Sequence, residues 1–384
     1  MLPVFRGAAV AATEAWRALC RGLQQLGRVL LGTAFASSAV HAATLPEDKA
    51  EALYHSYDGG GVKATGPALL VRKSLADKVS LSAGYYVDAV SNASIDVVTT
   101  ASPFKETRKA WDVGIDTVVR DSTLSLSLSR STEPDYIADA LGVDVSHEVF
   151  GGMSTVSLGF TRAHDLVGKK GVAGWIDQAT HWQYRVGVTQ ILTPKWLASA
   201  NLEAISDTGY LGNTYRVARV FGAAVPERNP RTRSSRAIKL RSITDTGAFV
   251  ERSSVRAEYR RYWDNWSIKA STTELGVSKY LGQRFLLDGT LRLYSQGKAL
   301  FYSDNAAAET TYVSRNRQLS TFKSTAVGGR LSYTVPGLPA AYDAKLIASY
   351  ERKSFRFADF TDSRTQQPYA HKADVLQLMV AGSF

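Results

Sequence analysis

Apolar and polar residues alternate one by one along most of this chain. Val79, Leu81, Ala83, Tyr85 and Val87 form one phase, and Ser80, Ser82, Gly84, Tyr86 and Asp88 the other. Leu124, Leu126 and Leu128 alternate with Ser125, Ser127 and Ser129, and Trp182, Tyr184, Val186 and Val188 with Gln183, Arg185, Gly187 and Thr189. Leu287, Leu291 and Leu293 alternate with Asp288, Thr290, Arg292 and Tyr294. A period of two sends successive side chains to opposite faces of a strand, so each segment has one apolar and one polar face. The segments run about 10 to 14 residues, where strands of soluble proteins are mostly 5 to 6. A tilted strand needs about 9 to 11 residues to cross a bilayer. Length and alternation together predict an all-β chain forming a transmembrane antiparallel up-and-down β-barrel, whose closure pairs every backbone group and leaves no edge open to lipid.

The connections point the same way. Short turns are expected near Leu75 to Asp77, Arg120-Asp121, Glu148 to Gly152, Thr193-Pro194, Thr244 to Gly247, Leu281-Gly282 and Pro336 to Pro339. Long loops are expected at 91–106, 165–179, 207–231, 297–319 and 355–371. With short connections at Asp58 to Gly61, Glu133-Pro134 and Trp263 to Asn265, and with Glu51–Tyr57 first and His371–Phe384 last, about sixteen strands result. The weakest segments leave a range of roughly 14 to 18, since bacterial barrels hold an even number. Every long loop then falls on one side, the extracellular side of bacterial outer-membrane barrels, and the short turns on the periplasmic side. Trp111, Trp182 and Trp266 are expected to open strands on the long-loop side, and Trp196, Phe249 and Phe285 on the other, as two interfacial girdles require.

The first 42 residues differ. Arg6, Arg17, Arg21 and Arg28 precede the apolar run Val29 to Ala36, and Val40-His41-Ala42 fits a small-x-small cleavage site. This reads as a signal peptide at 1–42, cleaved after Ala42, ahead of a single barrel domain at 43–384. Cys20 is the only cysteine, so no disulfide framework exists and the mature chain is free of thiols. The net charge of +11 falls, on loss of those four arginines and Glu14, to +8. A mean hydropathy of −0.14 excludes a helical membrane protein and suits strands with one lipid face and one wet face.

Longer motifs carry a likeness. Asp48 to Gly61 (DKAEALYHSYDGGG) resembles the start of an uncharacterised bacterial family, domain of unknown function 3570, as do Gly66 to Lys73 and Tyr85 to Lys105 (YYVDAVSNASIDVVTTASPFK). Phe150 to Gly159 and Glu203 to Asp207 are similar to it too, so that the likeness spans the mature chain. The resemblance implies an outer-membrane barrel of unknown function. It also implies neighbours of the small lipoprotein and thioredoxin-like kinds, hence a periplasmic lipoprotein or redox partner in an exported redox or assembly system. The terminal Phe384 resembles the signal read by the barrel-assembly machinery.

Charge placement suggests chemistry. With the apolar face to outer-membrane lipid, the polar phase of the tenth to fifteenth strands puts Lys239, Arg241, Arg252, Arg256, Arg260, Arg292, Arg330 and Lys345 in the lumen. Arg185 joins them from the eighth strand, with Glu258, Asp288 and Glu351 as expected counterions. A basic lumen suits a porin-like pore for small polar or anionic solutes. The same residues equally suit a salt-bridged, non-conducting barrel that anchors periplasmic or lipoprotein partners. No nucleic-acid motif is present. A third reading is a surface hydrolase in which His164, Asp165 and His181 meet at the outer rim, although no HExxH or GxSxG supports it. No cofactor or metal is expected. Ser146-His147-Glu148 is a chance run, because neighbours on a strand point to opposite faces. Gly59-Gly60-Gly61 reads as a turn, and loop 91–106 as either a lumen constriction or a cover for neighbouring loops.

Overall fold

The computed structural model describes residues 43–92, 104–339 and 342–384; the expected signal peptide and most of the loop at 91–106 lie outside them. The described residues form eighteen strands: β1 (Lys49–Gly59), β2 (Val62–Leu75), β3 (Val79–Asn92), β4 (Phe104–Val119), β5 (Ser122–Glu133), β6 (Tyr136–Val149), β7 (Ser154–Val167), β8 (Asp177–Thr193), β9 (Trp196–Gly209), β10 (Val217–Val220), β11 (Ala223–Pro226), β12 (Thr232–Asp245), β13 (Ser253–Asp264), β14 (Lys269–Leu281), β15 (Phe285–Gln296), β16 (Phe322–Thr334), β17 (Asp343–Thr361) and β18 (Pro368–Ser383). Sixteen of them close into an antiparallel barrel, each paired with its sequence neighbours, with β9 next to β12 and β1 sealed against β18. The remaining two, β10 and β11, form a separate hairpin inside the connection from β9 to β12.

Closure follows from the alternation. Leu69, Val71, Leu81, Val113, Ile115, Leu124, Leu126 and Leu128 stand exposed on one phase. In a water-soluble protein such a continuous apolar band would have to be covered; on a closed barrel it is the lipid face. The other phase points inward and meets across neighbouring strands. The seam pairs Lys49 with Ser383 through to Gly59 with Ala373, in register throughout. Leu53, Ile347 and Met379 pack together on its inner side. At its end the Phe384 amide donates to the Asp48 carbonyl at 3.2 Å, and the Lys73 ammonium lies 4.9 Å above the Phe384 ring. Hydrogen bonds from Lys73 and Ser74 hold the Asp48 carboxyl below its ordinary pKa.

Barrel strands are 11 to 19 residues long, more than a bilayer requires. The surplus extends on the long-loop side. The expected loop at 355–371 is therefore mostly strand: Phe355 pairs with His371 and Arg356 with Ala370, leaving 362–367 as the connection. Three expected girdle aromatics sit elsewhere. Trp266 lies between β13 and β14, buried against Ile268 and Phe357, and Phe249 lies within the turn 246–252, 92% exposed. Trp111 faces outward, but in the middle of β4 rather than at its start.

The two faces of β5 make a direct comparison. Leu126→Arg is expected to destabilise the barrel by about 2–4 kcal/mol, the cost of Arg near the bilayer midplane. Ser127→Arg, on the adjacent inner position, is expected to be tolerated, as read by urea unfolding in phospholipid vesicles.

Candidate functional site: the barrel lumen and its outer cap

The inner face has two unlike halves. On β12–β16 the side chains are long and charged. Glu258 takes Lys239 at 2.7 Å, Arg241 at 3.2 Å and Arg256 at 3.4 Å. Glu274 takes Arg256 at 2.9 Å and Arg292 at 2.7 Å. Arg330 faces Asp288 at 3.4 Å, and Arg260 reaches past β12 to Glu203 on β9 at 3.2 Å. On β17, Lys345 pairs with Asp343 at 2.9 Å and Glu351 with Lys353 at 2.8 Å. The cations expected in the lumen are thus brought together, but each has a carboxylate within reach. Glu274 and Glu203 were not anticipated, because which acid meets which base depends on strand register. Arg252 is the exception. It lies in the turn before β13 with φ at +54°, where the alternating phase does not yet hold, and donates to the Gly282 carbonyl at 2.6 Å.

On β3–β9 the inner face is small and acidic. Asp112, Ser127 and Ser129 are exposed at mid-strand although they point inward, so this part of the lumen is open to water. Gly84 and Gly159 give neighbouring acids room to lie across the wall. A Cβ at Gly84 would meet an Asp112 carboxylate oxygen at 2.3 Å, and one at Gly159 an Asp144 oxygen at 2.3 Å. Arg185 grips Asp144 with one guanidinium nitrogen at 2.9 and 3.0 Å, and Arg72 bonds Asp116.

The three rim residues separate. Asp165 and His181 both point inward and meet at 3.0 Å, while the opposite ring nitrogen of His181 meets Asp207 at 2.7 Å. His164 lies on the other face of β7, 3.5 Å from Thr180. The reason is the one that dismissed Ser146-His147-Glu148: His164 and Asp165 are sequence neighbours on a strand. With both His181 nitrogens against carboxylates, neither is left to take a proton from a nucleophile. Among the described residues no group of three or more His, Cys, Asp or Glu is placed to hold a metal ion.

The outer mouth carries a knitted cap. The β10–β11 hairpin joins the β15–β16 loop through Phe221 N to Ala306 O at 2.9 Å and Ala306 N to Arg219 O at 2.8 Å. Arg228 and Val313 exchange two backbone bonds, each 2.9 Å, and Ala218, Val220 and Val313 form a small apolar core. Tyr215, buried in the same loop, bonds Asp135 of the β5–β6 turn and accepts from the Lys170 amide of the β7–β8 loop at 2.5 Å. Arg315 donates to the Thr361 carbonyl at the end of β17 at 2.8 Å. Beneath, Ala299, Tyr302 and Leu319 pack on Phe357, Phe360 and Tyr369 inside the barrel rim. Beside the cap a cavity of about 1020 Å³ remains, lined in part by Lys63, Glu106, Lys169 and Trp175. At the cap's edge, the hydrogen bond from Arg364 holds the Asp362 carboxyl below its ordinary pKa.

The chain matches the family model described as protein of unknown function (DUF3570) over residues 170–354. The family resemblance is to DUF3570. Its model covers β8 to most of β17, whereas most of the motifs that suggested the family lie before residue 170. No curated protein matches. Among solved structures, CdiB from Acinetobacter baumannii is similar at 9% identity and TM-score 0.47, over 86% of this chain and 60% of that one. A bacterial polysaccharide outer membrane secretin is similar at 9% identity and TM-score 0.49, over 86% and 97%. A loop-deletion mutant of OmpT, an outer membrane protein of Vibrio cholerae, is similar at 8% identity and TM-score 0.45, over 88% and 98%. The chain thus spans about 60% of the length of CdiB. These likenesses are too loose to carry an argument. The chain is an outer-membrane type of barrel on its own strand order and its own apolar exterior.

Glu258 is the acid whose loss is most informative. Glu258→Gln leaves Lys239, Arg241 and Arg256 facing one another and is expected to cost about 1–3 kcal/mol. Adding Arg241→Gln is expected to return part of it, as urea unfolding of single and double variants will show. In the cap, Glu227 is buried, accepts from Ser314 and faces Arg216 at 3.9 Å. Glu227→Ala is expected to raise amide hydrogen exchange in 216–228 and 306–314 together, rather than in one loop alone.

Proposed function

We propose that this barrel is a channel for small polar solutes across the outer membrane, its outer mouth narrowed by the cap. The observation that carries this reading is the exposure of Asp112, Ser127 and Ser129 at mid-strand on the inner face. Side chains there would be buried if a plug or an apolar core filled the lumen at that level. Sixteen strands also enclose a space wide enough for an aqueous path. The lumen cations lie against Glu203, Glu258, Glu274 and Asp288, so the wall is mixed in charge and not a bare ring of cations.

A second reading has its own observation. Phe150 and Phe249 stand 81% and 92% exposed at the tips of short turns, beyond the strand ends. Aromatics at a periplasmic surface suit a barrel that anchors a small lipoprotein or redox partner. In either reading Phe384, at the closing seam, is the contact offered to the barrel-assembly machinery.

Refolded protein in planar bilayers is expected to give discrete openings, with larger conductance after removal of 299–319 or in Glu227→Ala. Silence from all three proteins would overturn the channel and leave the anchoring role.

A further inference from the structure

We infer that the lumen selects solutes bearing separated opposite charges, that is, small zwitterions. This deepens the channel reading and rests on it. Lys239, Arg241, Arg256 and Arg292 share only two carboxylates, Glu258 and Glu274, so that wall keeps an excess of positive charge. The facing wall keeps an excess of negative charge. Asp116 is matched by Arg72 and Asp144 by Arg185, but His181 serves both Asp165 and Asp207. Asp112 is exposed and has in its field only Arg72, which already bonds Asp116.

The two excesses stand across the channel from one another. Round the ring of sixteen, β4 and β15 are seven steps apart one way and nine the other, which is nearly a diameter. Asp112 lies seven residues from the short-turn end of β4, and Arg292 seven from the short-turn end of β15, so they sit at comparable depth. The Arg292 side chain is itself 42% exposed, hence open to the water path. Beside Asp112, the inner face of β5 offers small hydroxyl side chains, among them Ser125, Ser127 and Ser129. A solute passing here meets a transverse field. A single charge is drawn to one wall and repelled from the other, whereas a molecule with an ammonium and a carboxylate a few bonds apart satisfies both at once. The ammonium turns to Asp112 and the carboxylate to Arg292, whose Nε and Nη2 hold Glu274 and whose Nη1 donors remain for a solute carboxylate.

The test is entry of 4-aminobutyrate and of erythritol, a neutral solute of similar size, into liposomes carrying the protein. The expected ratio favours 4-aminobutyrate by roughly two- to fivefold, the range that exposed charge pairs supply. Asp112→Asn with Arg292→Gln is expected to bring the ratio within one variant close to unity. Entry of erythritol with no preference for 4-aminobutyrate in the parent protein overturns this inference and leaves the channel standing. Entry of neither solute removes the channel reading and the inference with it.

Discussion

Everything in this molecule depends on one requirement: a backbone N–H or C=O inside hydrocarbon must have a partner from the protein itself. Strands meet it only if the first finds the last. Here β1 and β18 pair in register over the whole length of β1. Once the ring is shut, the remaining features follow in order. Alternation becomes outside against inside, an even strand number returns both ends of the domain to one side, and the length beyond a bilayer crossing is available on the other side to build the mouth.

Closure also creates an electrostatic problem and shapes its solution. Arginines and lysines on an inward phase cannot turn away from one another, because the ring fixes which faces they share. The barrel resolves this by sharing carboxylates, as Glu258 does among three cations, and not by pairing each charge separately. In a water-filled lumen such pairs are individually modest. Their collective effect is positional: long side chains stand upright on one wall, while Gly84, Gly159 and the serines of β5 leave the other low.

What the amino acids reveal without coordinates is what is local and periodic. Leu124 to Ser129 declare a two-faced strand by themselves, and counting such strands yields the ring. Errors arise where the period is interrupted. Arg252 stands where a positive φ suspends the phase, and Phe249 and Trp266 resemble strand openers because turns of uneven length hide where pairing starts. His164 and Asp165 adjoin in sequence, but the alternation sends them to opposite faces. The cap left no local trace. Val220 meets Ala306, and Arg228 meets Val313, across some eighty residues of chain, and nothing near either partner signals the other. Likewise the likeness to a family of unknown function leaves the wall chemistry to be worked out from register.

The cap has a consequence for how the exterior of this protein can change over generations. Surface loops of barrels ordinarily drift independently, since each is anchored only at its own two strands. Here Asp135, Lys170, Tyr215, Ala306 and Thr361, from five different connections or strand ends, are bound into one piece. A substitution in any one of them is judged by the others, so this outward surface is one where single changes are least free.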